Sequence, residues 1–199
     1  GMAVFVPHGA AGDQCDIRIV KVQKNLAFGR IEQIVRPSRE RMAPACPYAA
    51  KCGGCCFQHI TYEEELRAKR QRVEDALRRI GGVENVLTGI VGSPQIEGYR
   101  NKAQFPVGQD ENGVFTGFYR PRSHDIVRAE RCLLLPEVSN RLAALVCRWM
   151  EENHVPAYDE TTGKGVVRHI YVRVGFGSGE SHLCIIAARA KLPAQERLV

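Results

Sequence analysis

The sequence has no apolar run approaching the roughly 18 to 20 residues of a membrane-spanning helix. Its first residues, GMAVFVPHGA, carry neither a basic stretch nor a long apolar core, so they do not read as a secretory signal. Both absences point to a cytoplasmic protein with no membrane partner. There thiols stay reduced, and clustered cysteines favour metal binding or catalysis over disulfides. No internal repeat and no low-complexity tract is visible. Also lacking is a strand followed by a Gly-rich turn that would cradle a nucleoside cofactor; GFGSGE reads better as a hairpin tip.

What is present suits a soluble chain. Its 199 residues, 44% hydrophobic and 25% charged, fit one large domain or two small ones. The net charge of +6 and the pI near 9.0 are compatible with a polyanionic partner such as nucleic acid. Between residues 16 and 41, Arg18, Lys21, Lys24, Arg30, Arg36, Arg39 and Arg41 outnumber Asp16, Glu32 and Glu40. A second group, Arg67, Lys69, Arg70, Arg72, Arg78 and Arg79, falls on an expected helix. A solvated charged surface would explain either group equally well.

The pattern along the chain changes character once. MAVFVP, CDIRIVKVQ and LAFGRIEQIV read as strands, with HGAAGD as a turn, and suggest a small barrel or twisted sheet. RPSRERMAPAC reads as a linker. The spacing then predicts a helix over residues 62–80, because Thr61 and Glu64 have capping-box spacing and Leu66, Val73, Leu77 and Ile80 form an apolar stripe. Gly81-Gly82 supplies its stop. YRNKAQFPV, GVFTGFYR and SHDIVRA read as strands. PEVSNRLAALVCRWMEENH reads as a second helix, and GVVRHIYVRVGF with ESHLCIIAA as a hairpin. The expected class is α+β, an all-β portion at residues 1–43 followed by a mixed portion at 44–199.

CPYAAKCGGCC sets Cys46, Cys52, Cys55 and Cys56 within eleven positions. A C-G-G-C turn lets two sulfurs converge, since glycine removes side chains and permits positive φ. Four thiolates complete either a tetrahedral zinc site or a [4Fe–4S] cluster, and three ligands from one loop plus a distant fourth favour the cluster. The candidates for the fourth are Cys56, Cys132, Cys147 and Cys184. Cys56 adjoins Cys55 and should point elsewhere, while Cys147 and Cys184 suit buried apolar thiols. Cys132, in the loop-like RAERCLLLP, is the best placed. Cys15 reads as structural.

CPYAAKCGGCCFQHITYEEELRAKRQRVEDALRRIGG, YRNKAQFPVG, GFYRPRSHDIV, Cys132 and GKGVVRHIYVRVGFGSGE closely resemble the bacterial RNA (uracil-5-)-methyltransferase family, most of all its 23S ribosomal RNA branch. The resemblance covers nearly the whole chain in one order. It implies a [4Fe–4S] cluster on Cys46, Cys52, Cys55 and Cys132, and a TRAM domain (an OB-like, RNA-binding β-barrel) at residues 1–43, lacking its first strand. It further implies that the methyl donor S-adenosylmethionine is used by a Rossmann-like domain, which the chain stops short of. The nucleophilic cysteine that attacks uracil C6 and the glutamate base belong to that domain. None of Cys15, Cys56, Cys147 or Cys184 lies in a stretch like the nucleophile motif. By that resemblance the chain is an N-terminal fragment, inactive alone, whose helix 62–80 packs on the absent domain and could otherwise drive dimerisation. Methyl transfer moves no net electron, so the cluster would act as a staple between the loop at 46–55 and Cys132.

Base-modifying enzymes need cations that grip the RNA backbone and groups that replace lost stacking. On a strand, Arg100, Lys102 and Gln104 share a face, opposite Asn101, Ala103 and Phe105. The first set is expected to face ribosomal RNA, with Arg122, Ser123 and His124 nearby. Asn101 belongs to the same candidate stretch, and Phe57, Gln58 and His59 are candidates for RNA contact or for shielding the cluster. His154, His169 and His182 have no paired ligand spacing and read as ordinary surface or core histidines. Other readings stay open: a tRNA uracil-5-methyltransferase, a stand-alone zinc-stabilised RNA-binding module, or a redox regulator.

Overall fold

The computed structural model describes residues 1–198. They form a mixed α+β molecule of two compact units: Gly1–Pro47 with Cys55–Gly92, and Tyr48–Gly54 with Ser93–Val199. The units interleave in sequence and do not follow a division at residue 43. The helix after the cysteines groups with the N-terminal strands, and seven residues of the cysteine loop group with the rest. Among the described residues no helix is long and apolar enough to cross a membrane.

In the first unit, β1 (Ala3–Phe5), β2 (Gln14–Val22) and β3 (Leu26–Arg36) form a three-stranded sheet in the order β1-β3-β2. β1 runs parallel to β3 and β2 antiparallel to it. Register shifts between Gln14 and Cys15, Asp16 and Ile17, and Ile19 and Lys21 interrupt the ladder. Such bulges break strict alternation and sharpen the twist, which accounts for the imperfect pattern in CDIRIVKVQ. Few of the apolar residues are covered: Ala27 is buried, whereas Phe5, Ile19, Val20 and Val22 are exposed.

The turn before β2 is fixed by one carboxylate. Asp13 accepts from the backbone N–H of Ala10 at 2.6 Å and of Ser38 at 2.9 Å. It also accepts from Arg41 Nε at 2.8 Å and Nη2 at 2.6 Å. Arg41 reaches the His8 carbonyl as well, at 2.7 Å. These bonds tie the two ends of the sheet's connecting segments, and they hold the Asp13 carboxyl well below the usual carboxylate range.

α1 (Tyr62–Arg79) starts as the capping spacing predicts, with the Thr61 hydroxyl accepting from the Glu64 N–H at 3.3 Å. The reciprocal half of a capping box is replaced. The Thr61 N–H donates to the Glu40 carbonyl at 2.8 Å, and Glu64 pairs with Arg67 at 2.7 Å. Arg67 also binds Glu40 at 2.8 Å, so the helix start is anchored on the segment after β3. Of the expected apolar stripe, Leu66 and Leu77 are half-buried, while Val73 and Ile80 are exposed.

The second unit is a two-layer fold. β4 (Lys102–Asp110), β5 (Gly113–Tyr119), β6 (Ile126–Arg128), β7 (Val167–Val174) and β8 (Ser181–Ala187) form an antiparallel sheet in the order β6-β5-β4-β7-β8. One face packs on α2 (Glu137–Glu152): Phe105, Val107, Ile170 and Val172 meet Ala143, Val146 and Met150, all buried. Close approach at the β5–β6 pair requires glycine at Gly117, where a Cβ would lie 1.9 Å from the Val127 carbonyl oxygen. Trp149, the single tryptophan, donates from Nε1 to the Ala194 carbonyl at 3.2 Å and pins the last described segment. That segment contains a short 3-10 turn (Gln195–Arg197), too brief to leave a periodic signal in the sequence.

Candidate functional site

The loop Tyr48–Gly54 docks on the second unit through backbone bonds. The Cys52 N–H donates to the Tyr48 carbonyl at 2.8 Å, closing a turn. The Tyr48 hydroxyl accepts from the Glu130 N–H at 3.3 Å, and the Gly53 N–H donates to the Tyr119 carbonyl at 3.0 Å. A Cβ at Gly53 would sit 2.9 Å from that same oxygen. Neither Gly53 nor Gly54 has positive φ, so the steric approach, not an unusual backbone conformation, explains the first glycine.

Within this unit Cys52 Sγ accepts from the Gly54 N–H at 3.4 Å. Cys132 is held through its backbone by Asn140 of α2. Its N–H donates to Asn140 Oδ1 at 3.0 Å, and its carbonyl accepts from Nδ2 at 3.4 Å. Asn140 is buried, and nothing in the sequence marked it, because a polar residue on a helix face has no local signature. In the first unit, Gln58 joins two cysteines: the Cys46 N–H donates to Oε1 at 3.2 Å, and Nε2 donates to Cys55 Sγ at 3.5 Å.

Two of the four expected ligands therefore belong to each unit, and the fit to a cluster is partial. N–H donors at the sulfurs of Cys52 and Cys55 suit thiolates, the ligating form. Convergence is not seen. Among the described residues no three of His, Cys, Asp or Glu gather as a metal-binding group.

The remaining cysteines divide differently from expectation. Cys147 is half-buried against the core rather than fully buried, and desolvation with the nearby Glu151 pushes its thiol up to about 11. Cys184 is exposed on β8, not buried, because its alternation places it on the sheet face opposite α2. Cys56 is exposed, and Cys15 is half-buried in β2.

The candidate RNA residues are also sorted by the fold. Lys102 and Gln104 face solvent while Ala103 and Phe105 enter the core, as strand alternation requires. Arg100 and Asn101 precede the strand and are both exposed, so alternation does not separate them. The Arg100 N–H donates to the Leu134 carbonyl and the Asn101 carbonyl accepts from Val174, which fixes that approach. Arg122 is exposed, with φ of 58°, in the turn between β5 and β6. His124 is tied to Glu160 by a 2.8 Å bond from Nδ1 and packs at 5.5 Å from the Tyr119 ring. Glu160 is held below the usual carboxylate range by that histidine. Gln58 is engaged with the cysteines, and His59 Nε2 lies 3.2 Å from the Gly9 carbonyl, so both already have protein partners. Phe57 is half-buried.

On the same open face, Tyr171 and Arg173 escaped the sequence reading, and His182 was read only as an ordinary histidine. Tyr171 and Arg173 on β7 pair with Gln104 and Lys102, and His182 on β8 pairs with Arg173. Lys102 Nζ lies 5.4 Å from the Tyr171 ring centre, and the Tyr171 and His182 rings are 6.4 Å apart. The signal was available in HIYVRV, where His169, Tyr171 and Arg173 alternate with buried Ile170, Val172 and Val174. His169 also meets the Tyr119 hydroxyl at 3.2 Å, and burial together with Arg168 depresses its pKa.

No family profile matches the chain. An uncharacterized RNA methyltransferase of Bacillus cereus is 40% identical over 200 residues, matching 100% of this chain and 44% of its own length. Another from Clostridium tetani is 38% identical over 196 residues, matching 98% of this chain and 43% of its own. The chain is a relative of these RNA methyltransferases along its whole length. It spans less than half of theirs. Among solved structures, the Pyrococcus abyssi tRNA (uracil-54, C5)-methyltransferase in complex with S-adenosyl-L-homocysteine superposes with a TM-score of 0.74 at 24% identity, covering 99% of this chain and 44% of that one. At that identity the likeness speaks to the shared fold.

Proposed function

We propose that the chain is the RNA-recognition portion of a SAM-dependent methyltransferase that forms 5-methyluridine in 23S ribosomal RNA. The observation that carries this is end-to-end similarity to RNA methyltransferases more than twice its length, combined with an open cationic sheet face. In this proposal the first unit contains a TRAM-like β-barrel portion that adds sequence-independent affinity, and β4 with its approach grips the backbone through Arg100 and Lys102. S-adenosylmethionine supplies the methyl group when bound by the whole protein. This chain's residues bind and orient the RNA, and the chain alone does not methylate.

The same proposal assigns Cys46, Cys52, Cys55 and Cys132 to a [4Fe–4S] cluster, which would supply cross-linking energy between the cysteine loop and the start of α2. Gln58 holds Cys46 and Cys55, and Asn140 holds Cys132, from outside the ligand set. Iron and sulfide analysis of anaerobically purified protein tests the assignment: stoichiometric iron with a brown absorbance near 400 nm is expected, and zinc without it would overturn it. For the substrate, labelled methyl transfer by a protein of the relatives' full length is compared on 23S ribosomal RNA and on tRNA. Label confined to tRNA would replace the ribosomal reading, which the cysteine block favours, with the tRNA one.

A further inference from the structure

We infer that the open face of the five-stranded sheet is a base-stacking platform for single-stranded RNA, centred on Tyr171. This rests on the RNA-recognition reading above and gives it a specific nucleic-acid form. Among the described residues of its own unit, the sheet packs α2 on one face, and its other face is built by side chains that this core does not use. At the centre of that face, neighbouring strands place Lys102, Arg173 and His182 in one row and Gln104, Tyr171 and Cys184 in the next. A row of two cations and an imidazole beside a row with one aromatic ring and one amide is suited to nucleic acid.

Charge complementarity selects the occupant. Neither of these rows contains a carboxylate, nor does the adjoining row of Pro106, His169 and Ile186; Glu180 stands at the hairpin end, past the row of Lys102, Arg173 and His182. An apolar protein surface would find little to bury there beyond Ile186, since Pro106 is already buried. A polyanion with exposed rings meets cations for its phosphates and a ring for its bases. Lys102 sits 5.4 Å from the Tyr171 ring centre and His182 meets that ring edge-on, with an interplanar angle of 69°. The ring is thus met at its edge by one neighbour and covered by the Lys102 ammonium. An unpaired base stacking on Tyr171 takes the ammonium's place, and Lys102 turns to the adjacent phosphate. Gln104 is the direct cross-strand partner of Tyr171, and its exposed amide can hydrogen-bond a base edge. A duplex cannot use such a ring, because its bases are already stacked and the A-form major groove is too narrow to enter.

The test uses the 199-residue chain and a fluorescein-labelled single-stranded RNA decamer carrying one 2-aminopurine, with a matched RNA duplex as the second probe. Anisotropy is recorded across a salt series, and 2-aminopurine emission reports stacking. Tyr171→Ala should weaken single-strand binding roughly 5- to 150-fold, the range for loss of one base–aromatic stack, with an unchanged salt slope. Tyr171→Phe should retain binding, and circular dichroism should show the fold intact in both. Duplex affinity should not respond to either change. If the chain binds single-stranded RNA but Tyr171→Ala binds equally well, the platform is wrong while RNA recognition stands. If the chain binds neither probe, the RNA-recognition reading itself falls. Equal losses on both probes would assign Tyr171 a structural role and also overturn the platform.

Discussion

Asp13→Ala tests how the N-terminal unit is held together. The carboxylate side chain is only 4% exposed and that of its partner Arg41 16%, so this pair is largely withdrawn from water. Removing the carboxylate strips four donors of their acceptor: two backbone amides and two guanidinium nitrogens. Arg41 keeps only the His8 carbonyl among its named partners. Breaking one side of a buried pair costs about 3–5 kcal/mol, and the partial access at Arg41 places this case near 3. That is roughly a 150-fold change in the opening equilibrium. Amide hydrogen exchange reads it locally, since the Ala10 and Ser38 N–H groups donate directly to Asp13 and should lose protection together.

The same pair sets a pH dependence. The folded-state pKa of Asp13 is depressed, so its stabilisation is fully present above the unfolded carboxylate value of about 3.9. It declines as pH falls below that value toward the folded one. Asp13→Asn keeps an acceptor oxygen but no charge, so its deficit relative to wild type should be constant near neutrality and shrink below about pH 4. Protection at Ala10 and Ser38 that survives Asp13→Ala, or a deficit that grows with acid, would refute the reasoning.

Three further outcomes are expected. Asn140→Ala leaves the Cys132 N–H without its acceptor and should lower stability by about 1–3 kcal/mol in urea unfolding, whereas the neighbouring Ser139→Ala should be neutral or stabilising. Among the described residues the buried Ser139 hydroxyl has no hydrogen-bond partner, so its removal strands nothing. In timed alkylation at pH 8 with peptide mapping, exposed Cys56 and Cys184 should react well before Cys147, whose thiol is pushed up to about 11. Gly117→Ala should break the β5–β6 edge, because the added methyl group meets the Val127 carbonyl, and protection of the Ala129 amide should fall.

Element positions were legible where one periodicity dominated. The helix over 62–80 starts at its capping threonine, and strand alternation correctly turned Lys102 and Gln104 outward. The grouping of elements was not legible. The bonds that tie α1 to the first unit run through Glu40, an unremarkable residue in an apparent linker. Cys184 was misplaced because CIIA reads as a buried run, although on the edge strand β8 its pairing with Tyr171 of β7 puts it on the open face. The close-set cysteines at 46–56 were visible in the sequence, whereas the bonds of Gln58 to Cys46 and Cys55 and of Asn140 to Cys132 depend on approach between separated segments. Tyr171, Arg173 and His182 become one surface only when β7 and β8 lie beside β4. Sequence proximity could suggest Arg100 and Lys102 as an RNA grip, but not the ring beside them.

The central claim is that β4 and its approach grip an RNA backbone. The most direct measurement compares the salt dependence of single-stranded RNA binding for wild type and for Arg100→Ala combined with Lys102→Ala. Each phosphate contact contributes about 0.7 to the slope of log affinity against log salt on single strands. Losing two should flatten the slope by about 1.4 and weaken binding most at low salt. Parallel lines of equal affinity would contradict the account and move the RNA face elsewhere on the molecule.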